Sequence, residues 1–437
     1  MVLQARAVAP RAAVRQRLRA GLATALSKQE FLWVIAVVLI TRLVVWLVAT
    51  FAALLTAGPE AAGSLGGLNA RRFDDPTLTH PFGDPLDLLL APLARWDAVW
   101  YLRIADQGYG SAPGLKAAFF PLYPLLVRML GELGGGTPGA NLLAAYVLSL
   151  AAFCAGLCCV YALVRRSSGN AIAKATVLLM AVFPGSLWFG VPYAESLFLL
   201  LSAAALWCAA YGSLWLAGGL AAAAAATRSL GVLLIVPLAL YWWRRRRVGE
   251  VSRATLLSLL LCPLGLAAFA LGLWAGGAEP LAFAQIQSAW ARETTGPVLG
   301  AWHGLAAAWL GLRQLAAGAR EPVFFGVAAG DPYRIAAMNL MLCGFLLLSL
   351  WAVLLSRRRV PLPLAAWSLA GLLFAISAPA KPQPLMSMPR LVAVLFPLAW
   401  AVAAWAEERR AVSVVAACGA IGLGAFAALY AGWSWLA

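Results

Sequence analysis

Long apolar runs recur from one end of this chain to the other, and each must be buried in a core or in lipid. The first run, Phe31 to Leu55, is about 25 residues, which is enough to cross a bilayer with some tilt. Of the 437 residues, 63% are hydrophobic and 11% are charged, whereas a soluble domain carries about 25% charged residues. The sequence therefore predicts an all-α, polytopic membrane helix bundle that forms one unit over residues 1–437.

The formal net charge of +16 is concentrated next to the apolar runs. Basic residues recur through the segment 1–29, and two further basic clusters occur at Arg244–Arg247 and Arg357–Arg359. Basic clusters beside membrane spans are typical of anchoring at the cytoplasmic leaflet. We expect a multi-pass protein of the cell membrane that contacts membrane lipids and does not bind nucleic acid.

Placing every arginine cluster in the cytoplasm predicts about eleven spans and an external C-terminus. Between Gly212 and Arg244 the chain must cross an even number of times, so we expect two short helices that meet at Thr227-Arg228-Ser229. The segment 117–133 is predicted to lie at the membrane interface. The remaining spans are predicted near 138–164, 172–190, 194–212, 252–276, 334–356, 361–378, 391–406 and 411–435.

Three segments are then external, at 56–137, 277–333 and 377–390, together with a tight turn near Pro192. Long amphipathic loops are usually functional. We expect the first segment to carry interfacial helices. It also holds six aspartates: Asp74, Asp75, Asp84, Asp87, Asp97 and Asp106.

The densest polar and aromatic stretch runs from Arg95 to Tyr109. Within it, Asp97 lies between Trp96 and Trp100, where partial desolvation would make a carboxylate a stronger base. An interfacial aromatic belt with incidental charges would produce the same pattern. Asp97 is therefore the first candidate for catalysis.

Further charged residues lie near the external ends of the spans. Glu195 begins a span, where a carboxylate also stabilises a helix N-terminus. Arg228, between two half-helices, should pair with a carboxylate or a bound phosphate, and Arg42 in the first span follows the same logic. Lys381 and Arg390 lie in the third external segment, where extension to a lipid headgroup is the alternative to a site.

The sequence does not predict a metal site or an organic cofactor. His80 and His303 are isolated from each other, although the clustered aspartates leave a divalent metal open. All seven cysteines lie within apolar runs, as small buried hydrophobic residues do. The sequence has no Gly-rich phosphate loop, which disfavours a nucleotide-sugar donor.

Five segments carry a family resemblance: RWDAVWYLRIADQGY (95–109), FFPLYPLLVR (119–128), FPGSLWFGVPYAESLFLLLS (183–202), ATRSLGVLLIVP (226–237) and SMPRLVAVLFPL (387–398). In this order they resemble the PIG-V family of mannosyltransferases, within the GT-C class of membrane glycosyltransferases. The resemblance implies transfer of mannose from a polyprenyl-phosphate-mannose donor on the non-cytoplasmic side. It matches Asp97 to the presumed general base in the first external loop.

Together, the residues and the resemblance give a set of expected roles. Membrane-embedded cations suit a lipid phosphate, so Arg228 and Arg390 are expected to bind the donor phosphate. The acceptor is expected to be a lipid, a glycan or a protein. The Ala/Arg/Gly-rich composition indicates a bacterial member, in which the glycolipid-anchor acceptor of eukaryotic relatives is not expected. The expected substrate pocket comprises Trp96, Trp100, Tyr101, Asp106, Tyr193, Glu195 and Lys381.

Two other functions compete with this interpretation. A transporter or flippase of a lipid-linked sugar would also be polytopic, but transporters tend to show internal repeats and midplane sites. This sequence shows no convincing repeat, and its polar residues cluster at one face. A non-catalytic membrane scaffold would not need Asp97 or Arg228.

Overall fold

The computed structural model describes residues 26–56, 64–324 and 330–436, so most of the predicted basic segment 1–29 lies outside the described residues. Within these ranges the chain is helical, which confirms the all-α prediction. The α-helices are Lys28–Thr56, Leu65–Phe73, Pro76–Thr79, Leu86–Leu90, Asp97–Gln107, Leu122–Glu132, Pro138–Ser168, Asn170–Val182, Glu195–Tyr211, Leu214–Ala225, Ile235–Arg247, Leu264–Ala275, Ala282–Gln285, Pro297–Ala316, Pro332–Arg359, Leu362–Ile376, Met388–Ala393, Phe396–Glu408 and Val412–Ala431. The 3₁₀ helices are Ala91–Leu93, Gly114–Ala118, Pro184–Phe189, Ser229–Leu234, Arg253–Leu261 and Ile286–Trp290.

Five helical segments in the described part of the chain are long and apolar enough to cross a membrane: Lys28–Thr56, Pro138–Ser168, Arg253–Ala275, Pro332–Arg359 and Val412–Ala431. Shorter apolar helices lie at several other predicted spans. The predicted span 172–190, for example, is divided into Asn170–Val182 and the 3₁₀ helix that starts at Pro184. Proline lacks an N–H group and disfavours helical geometry in the residue before it, so an α-helix stops there.

The helix Pro138–Ser168 packs closely against Glu195–Tyr211 near its middle. Gly156 lies at the crossing, where an added Cβ would be 3.2 Å from the backbone nitrogen of Leu200. Small residues allow such close approach between membrane helices, where van der Waals packing drives association. The contact fixes the helix that carries Glu195 within the bundle.

The apolar stretch before the Arg244 cluster is broken at the predicted place. The α-helix ends at Ala225, and Arg228 immediately precedes the 3₁₀ helix. Arg245 donates hydrogen bonds to the carbonyl oxygens of Ala209 and Gly212, at 3.0 and 2.9 Å. The chain therefore returns to the end from which it started, and Arg228 lies at the turning point.

Two sets of charges collect at opposite ends of the helices. At the end that holds the arginine clusters, neighbouring helices are joined by these contacts: Arg165 with Glu30, Arg166 over the Tyr211 ring, Arg245 with Gly212, Arg359 with Glu408, and Trp400 with Ser168. Glu195 and Tyr211 are the two ends of one helix. The set that includes Glu195 therefore lies at the other end.

The predicted external segment 277–333 is not an irregular loop, because it contains the 20-residue helix Pro297–Ala316. This helix packs on the start of Pro332–Arg359: Gly311 approaches Ala336, and the Tyr333 hydroxyl donates to the carbonyl oxygen of Leu315 at 3.1 Å. Sequence patterning did not identify this helix.

Arg42 is buried in the first span and stabilises the end of a neighbouring helix. It donates hydrogen bonds to the carbonyl oxygens of Ala181 (2.7 Å) and Ser186 (2.5 Å), and its guanidinium lies over the Phe153 ring. Among the described residues, no carboxylate pairs with it. The contacts identify Arg42 as a cation at a helix C-terminus, where the dipole favours positive charge.

We predict that Arg42→Ala lowers the melting temperature of the protein in detergent. The substitution removes the guanidinium donor from the Ser186 carbonyl oxygen, whereas the Ala181 carbonyl oxygen keeps the Ser186 hydroxyl as a donor. A buried acceptor that loses its donor costs about 1–3 kcal/mol. Leu43→Ala is the control, because Leu43 is the next residue and its side chain is exposed. Equal melting temperatures for the two variants would contradict this role.

We also predict that Ser111 and Ser252 face opposite sides of the membrane. Both are exposed, and Ser252 lies at the arginine-rich end. In a protein without its native cysteines, Ser111→Cys should react with an impermeant maleimide in intact cells, and Ser252→Cys should react only after permeabilisation. The reverse pattern would overturn the orientation inferred from the arginine clusters.

Candidate active site

Asp97 is the first residue of the helix Asp97–Gln107, and its position is set by the residue before it. Trp96 has φ +58°, a left-handed conformation that is costly for a side chain of this size. The Trp96 ring is buried against three aromatic rings, those of Phe73, Trp433 and Trp435, with centroids 4.9–5.4 Å away. This packing holds the strained backbone and thereby directs Asp97.

Two tyrosines tie the same turn to the rest of the bundle. The Tyr193 hydroxyl accepts a hydrogen bond from the Asp97 N–H at 3.0 Å and donates to the carbonyl oxygen of Arg95 at 3.2 Å. Tyr430, in the last helix, donates to the same carbonyl oxygen at 2.6 Å. Tyr193 therefore positions Asp97 through the backbone.

Two buried carboxylates and two half-buried arginines of alternating charge form a continuous chain of ion pairs, which we call the charge chain. Asp97 Oδ2 lies 2.5 Å from Arg390 Nη1, Arg390 Nε lies 3.1 Å from Glu195 Oε1, and the same Glu195 oxygen pairs with Arg228. The two carboxylates and two guanidiniums cancel in formal charge. Removing Arg390 would leave Asp97 without an ion-pair partner, and removing Glu195 would leave Arg228 without one, which is strongly destabilising.

Each member of the charge chain comes from a break or an end in helical structure. Glu195 is the first residue of the helix Glu195–Tyr211, and Arg228 lies in the break after the helix that ends at Ala225. Arg390 belongs to the short helix Met388–Ala393, which follows Ser387 at φ +70°. Strained non-glycine residues thus precede both Asp97 and Arg390, and such strain concentrates at functional sites.

Glu195 has one oxygen still available. Its side chain is 1% exposed, and Oε2 has no hydrogen-bond partner among the residues that the structure describes. Buried carboxylate oxygens are normally hydrogen-bonded, so this oxygen is a candidate partner for an ordered water.

The charge chain borders a cavity of about 610 Å³, within the size range of small-molecule sites. Asp97, Arg228 and Arg390 line it, with Arg292 as a further cation. Its aromatic lining consists of Tyr101, Phe119, Phe120, Phe283, Trp290, Phe374 and Trp435, and its uncharged polar lining includes Gln287, Ser288, Thr227, Ser229 and Ser377.

The residues predicted for the substrate pocket occupy different places. Tyr101 lines the cavity, whereas Trp96 and Trp100 lie behind lining residues, against Trp435 and Phe119 respectively. Tyr193 is buried beneath Asp97. Glu195 belongs to the charge chain but does not line the cavity, and the structure does not bring the remaining two predicted residues to it. Asp106, near the far end of its helix, is not a lining residue, and exposed Lys381 pairs with Glu293 at 3.3 Å.

Sequence reasoning missed Arg292, because the segment around it resembles no family motif. Trp290-Ala291-Arg292-Glu293 combines aromatic, cationic and acidic residues as Arg95-Trp96-Asp97 does, and that composition was the available signal. Within the described ranges, no group of three or more His, Cys, Asp or Glu side chains could hold a metal ion.

Comparisons with known proteins find similarity to one family. The profile of a family described as mannosyltransferase (PIG-V) matches residues 34–241, just under half of the chain. The matched part contains Asp97, Glu195 and Arg228, whereas Arg292 and Arg390 lie beyond it. No curated protein sequence matches the chain.

Two solved structures are similar, both crystal structures of the Archaeoglobus fulgidus oligosaccharyltransferase at 14% identity. The complex with zinc and sulfate has a TM-score of 0.43 over 77% of this chain and 48% of that protein. The apo form has a TM-score of 0.44 over 92% of this chain and 56% of that protein. This chain therefore spans about half the length of that oligosaccharyltransferase.

The match confirms the resemblance seen in the sequence. Residues 34–241 are similar to the PIG-V family of mannosyltransferases, and this similarity supports glycosyltransferase activity.

Proposed function

We propose that the protein transfers mannose from a polyprenyl-phosphate-mannose donor to a hydroxyl of a lipid, glycan or protein acceptor. The reaction takes place at the non-cytoplasmic face of the cell membrane. The observation that carries the proposal is Asp97, a carboxylate that lines a cavity also lined by three arginines. A base beside several cations is what glycosyl transfer from a phosphate leaving group requires.

Asp97 acts as the general base in this proposal. The acceptor oxygen attacks the anomeric carbon of mannose and loses its proton to the Asp97 carboxylate. The bond from that carbon to the phosphate oxygen breaks, and its electron pair leaves with polyprenyl phosphate. Attack and departure occur on opposite faces, so a β-linked donor yields an α-mannoside.

Arg228 and Arg390 bind the donor phosphate. Both line the cavity, and a guanidinium has five N–H donors, so each is able to hold a carboxylate and a phosphate oxygen together. Charge-assisted hydrogen bonds of this kind are stronger than neutral ones. They also stabilise the negative charge that develops on the leaving phosphate.

Arg390 also connects donor binding to the base. Arg390 pairs with Asp97 at 2.5 Å and also lines the cavity where the donor phosphate would bind. A bound phosphate competes for the same guanidinium and loosens its hold on the carboxylate. The Asp97 carboxylate is then free to contact the acceptor hydroxyl.

Aromatic side chains complete the sugar pocket. Tyr101 and Trp290 line the cavity, and Trp100 stacks behind Phe119 at a centroid distance of 6.0 Å. These surfaces leave little room for water around the anomeric carbon. Excluding water limits hydrolysis of the donor, which competes with transfer.

We predict that Asp97→Asn slows single-turnover mannose transfer by about 10²–10⁴, the usual contribution of a general base. The amide retains the shape of the side chain but cannot accept the proton. Donor affinity should survive, because the arginines remain. Asp106→Asn is the matched control, since it makes the same change in the same helix away from the cavity.

The rate of transfer is measured with purified protein and radiolabelled polyprenyl-phosphate-mannose, with donor affinity measured in parallel. Wild-type transfer by Asp97→Asn would refute the catalytic role of this carboxylate. Equal slowing in both variants would show that the loss comes from the helix rather than from the base.

A second prediction concerns the phosphate and uses charge-neutral double variants, which avoid orphaned buried charges. Glu195→Gln with Arg228→Gln, and Asp97→Asn with Arg390→Gln, should each weaken donor binding about ten- to a hundredfold, because a charge-assisted hydrogen bond is lost. The control replaces the exposed pair Arg128 and Glu132 by glutamines.

Dissociation constants are measured without acceptor, together with melting temperatures. The expected result is weaker binding at unchanged stability for the two cavity pairs and wild-type binding for the exposed pair. Wild-type affinity in both cavity variants would place the donor phosphate elsewhere.

A further inference from the structure

Arg292 is held against the cavity by a second external segment. Its Nη1 donates to the carbonyl oxygen of Ala378 at 3.2 Å, and its Nη2 lies 3.1 Å from the carbonyl oxygen of Met386 and 3.5 Å from Ser387 Oγ. These three acceptors are neutral. Of its five N–H groups, two remain for a ligand.

The backbone around Arg292 is also fixed to that second segment. The N–H groups of Glu293 and Thr295 donate to the carbonyl oxygens of Pro379 and Ser377, at 3.1 and 3.0 Å. In return, the Lys381 N–H donates to the carbonyl oxygen of Ala291 at 3.2 Å. Arg292 is therefore a preorganised donor rather than a side chain on a free loop.

The charge of Arg292 is not balanced within the part of the chain that the structure describes. No described carboxylate lies within ion-pair distance, whereas Arg228 and Arg390 are each paired in the charge chain. Burial lowers the pKa of the Arg292 guanidinium to about 10, and nearby Arg390 acts in the same direction. With the charge chain neutral, Arg292 gives the site a formal charge of about +1.

We propose that Arg292 binds the donor phosphate and supplies net positive charge that compensates the negative charge of the lipid phosphate. The inference rests on the proposed function for the identity of the anion. It adds a ligand residue that lies outside the matched family region. In this arrangement the charge chain orients the base and the phosphate, and Arg292 compensates the charge of the donor.

The test measures binding rather than transfer, with full-length protein in nanodiscs. The probes are polyprenyl phosphate and the matched neutral polyprenol, with inorganic phosphate as competitor. The variants are Arg292→Gln, Arg292→Lys and Arg313→Gln. Arg313 is the control, because it is an exposed arginine of the same external segment that stacks on Phe324 away from the cavity.

Arg292→Gln should weaken binding of polyprenyl phosphate about ten- to a hundredfold and leave polyprenol binding unchanged, because only the phosphate loses a charged donor. Arg292→Lys should fall between this variant and the wild type, since lysine keeps the charge without the planar fork. Arg313→Gln should bind both lipids normally.

Three results would overturn the assignment. An equal loss for both lipids would make Arg292 a structural brace between the two segments, and unchanged phosphate binding would remove it from the site. Inorganic phosphate that binds as tightly as the lipid would indicate a site for a free anion. Failure of mannose transfer alongside the expected binding pattern would instead overturn the proposed function and support the Arg292 assignment.

Discussion

The ion pairs between Asp97, Arg390, Glu195 and Arg228 are the interaction on which the rest of the site depends. A buried charge is costly unless ion pairs or hydrogen bonds compensate it. Here every member touches a residue of opposite sign, and no two come from the same helix. The pairs therefore hold four separate parts of the bundle in one arrangement.

Bringing these four side chains together requires breaks in the regular helical structure of the bundle. The chain breaks after Ala225, turns before Glu195, and adopts left-handed backbone at Trp96 and Ser387. Such irregular backbone is tolerated at membrane depth where it lines a cavity. The surrounding packing, including the aromatic cage of Trp96 and the cap that Arg42 forms on its neighbouring helix, compensates for these departures.

The sequence revealed much of this organisation, because lipid imposes strong rules. Apolar runs and arginine clusters predicted the all-α bundle and the break at Arg228, and the need to pair a buried cation pointed to Arg228 as a partner for an acid. Contacts between distant segments carry no such local signal. Backbone hydrogen bonds between residues 291–296 and residues 377–381 bring Arg292 to the cavity. The ion pair between Asp97 and Arg390 joins residues that are 293 positions apart in the sequence.

In the proposed complex, the donor phosphate binds beside this ion-pair network and the sugar faces Asp97. A cryo-EM structure of Asp97→Asn with β-mannosyl polyprenyl phosphate tests it most directly. We expect phosphate oxygens about 3 Å from the guanidiniums of Arg390, Arg228 and Arg292, with the anomeric carbon facing Asn at position 97. A headgroup bound outside this cavity, or a sugar on the far side of the arginines from position 97, would contradict it.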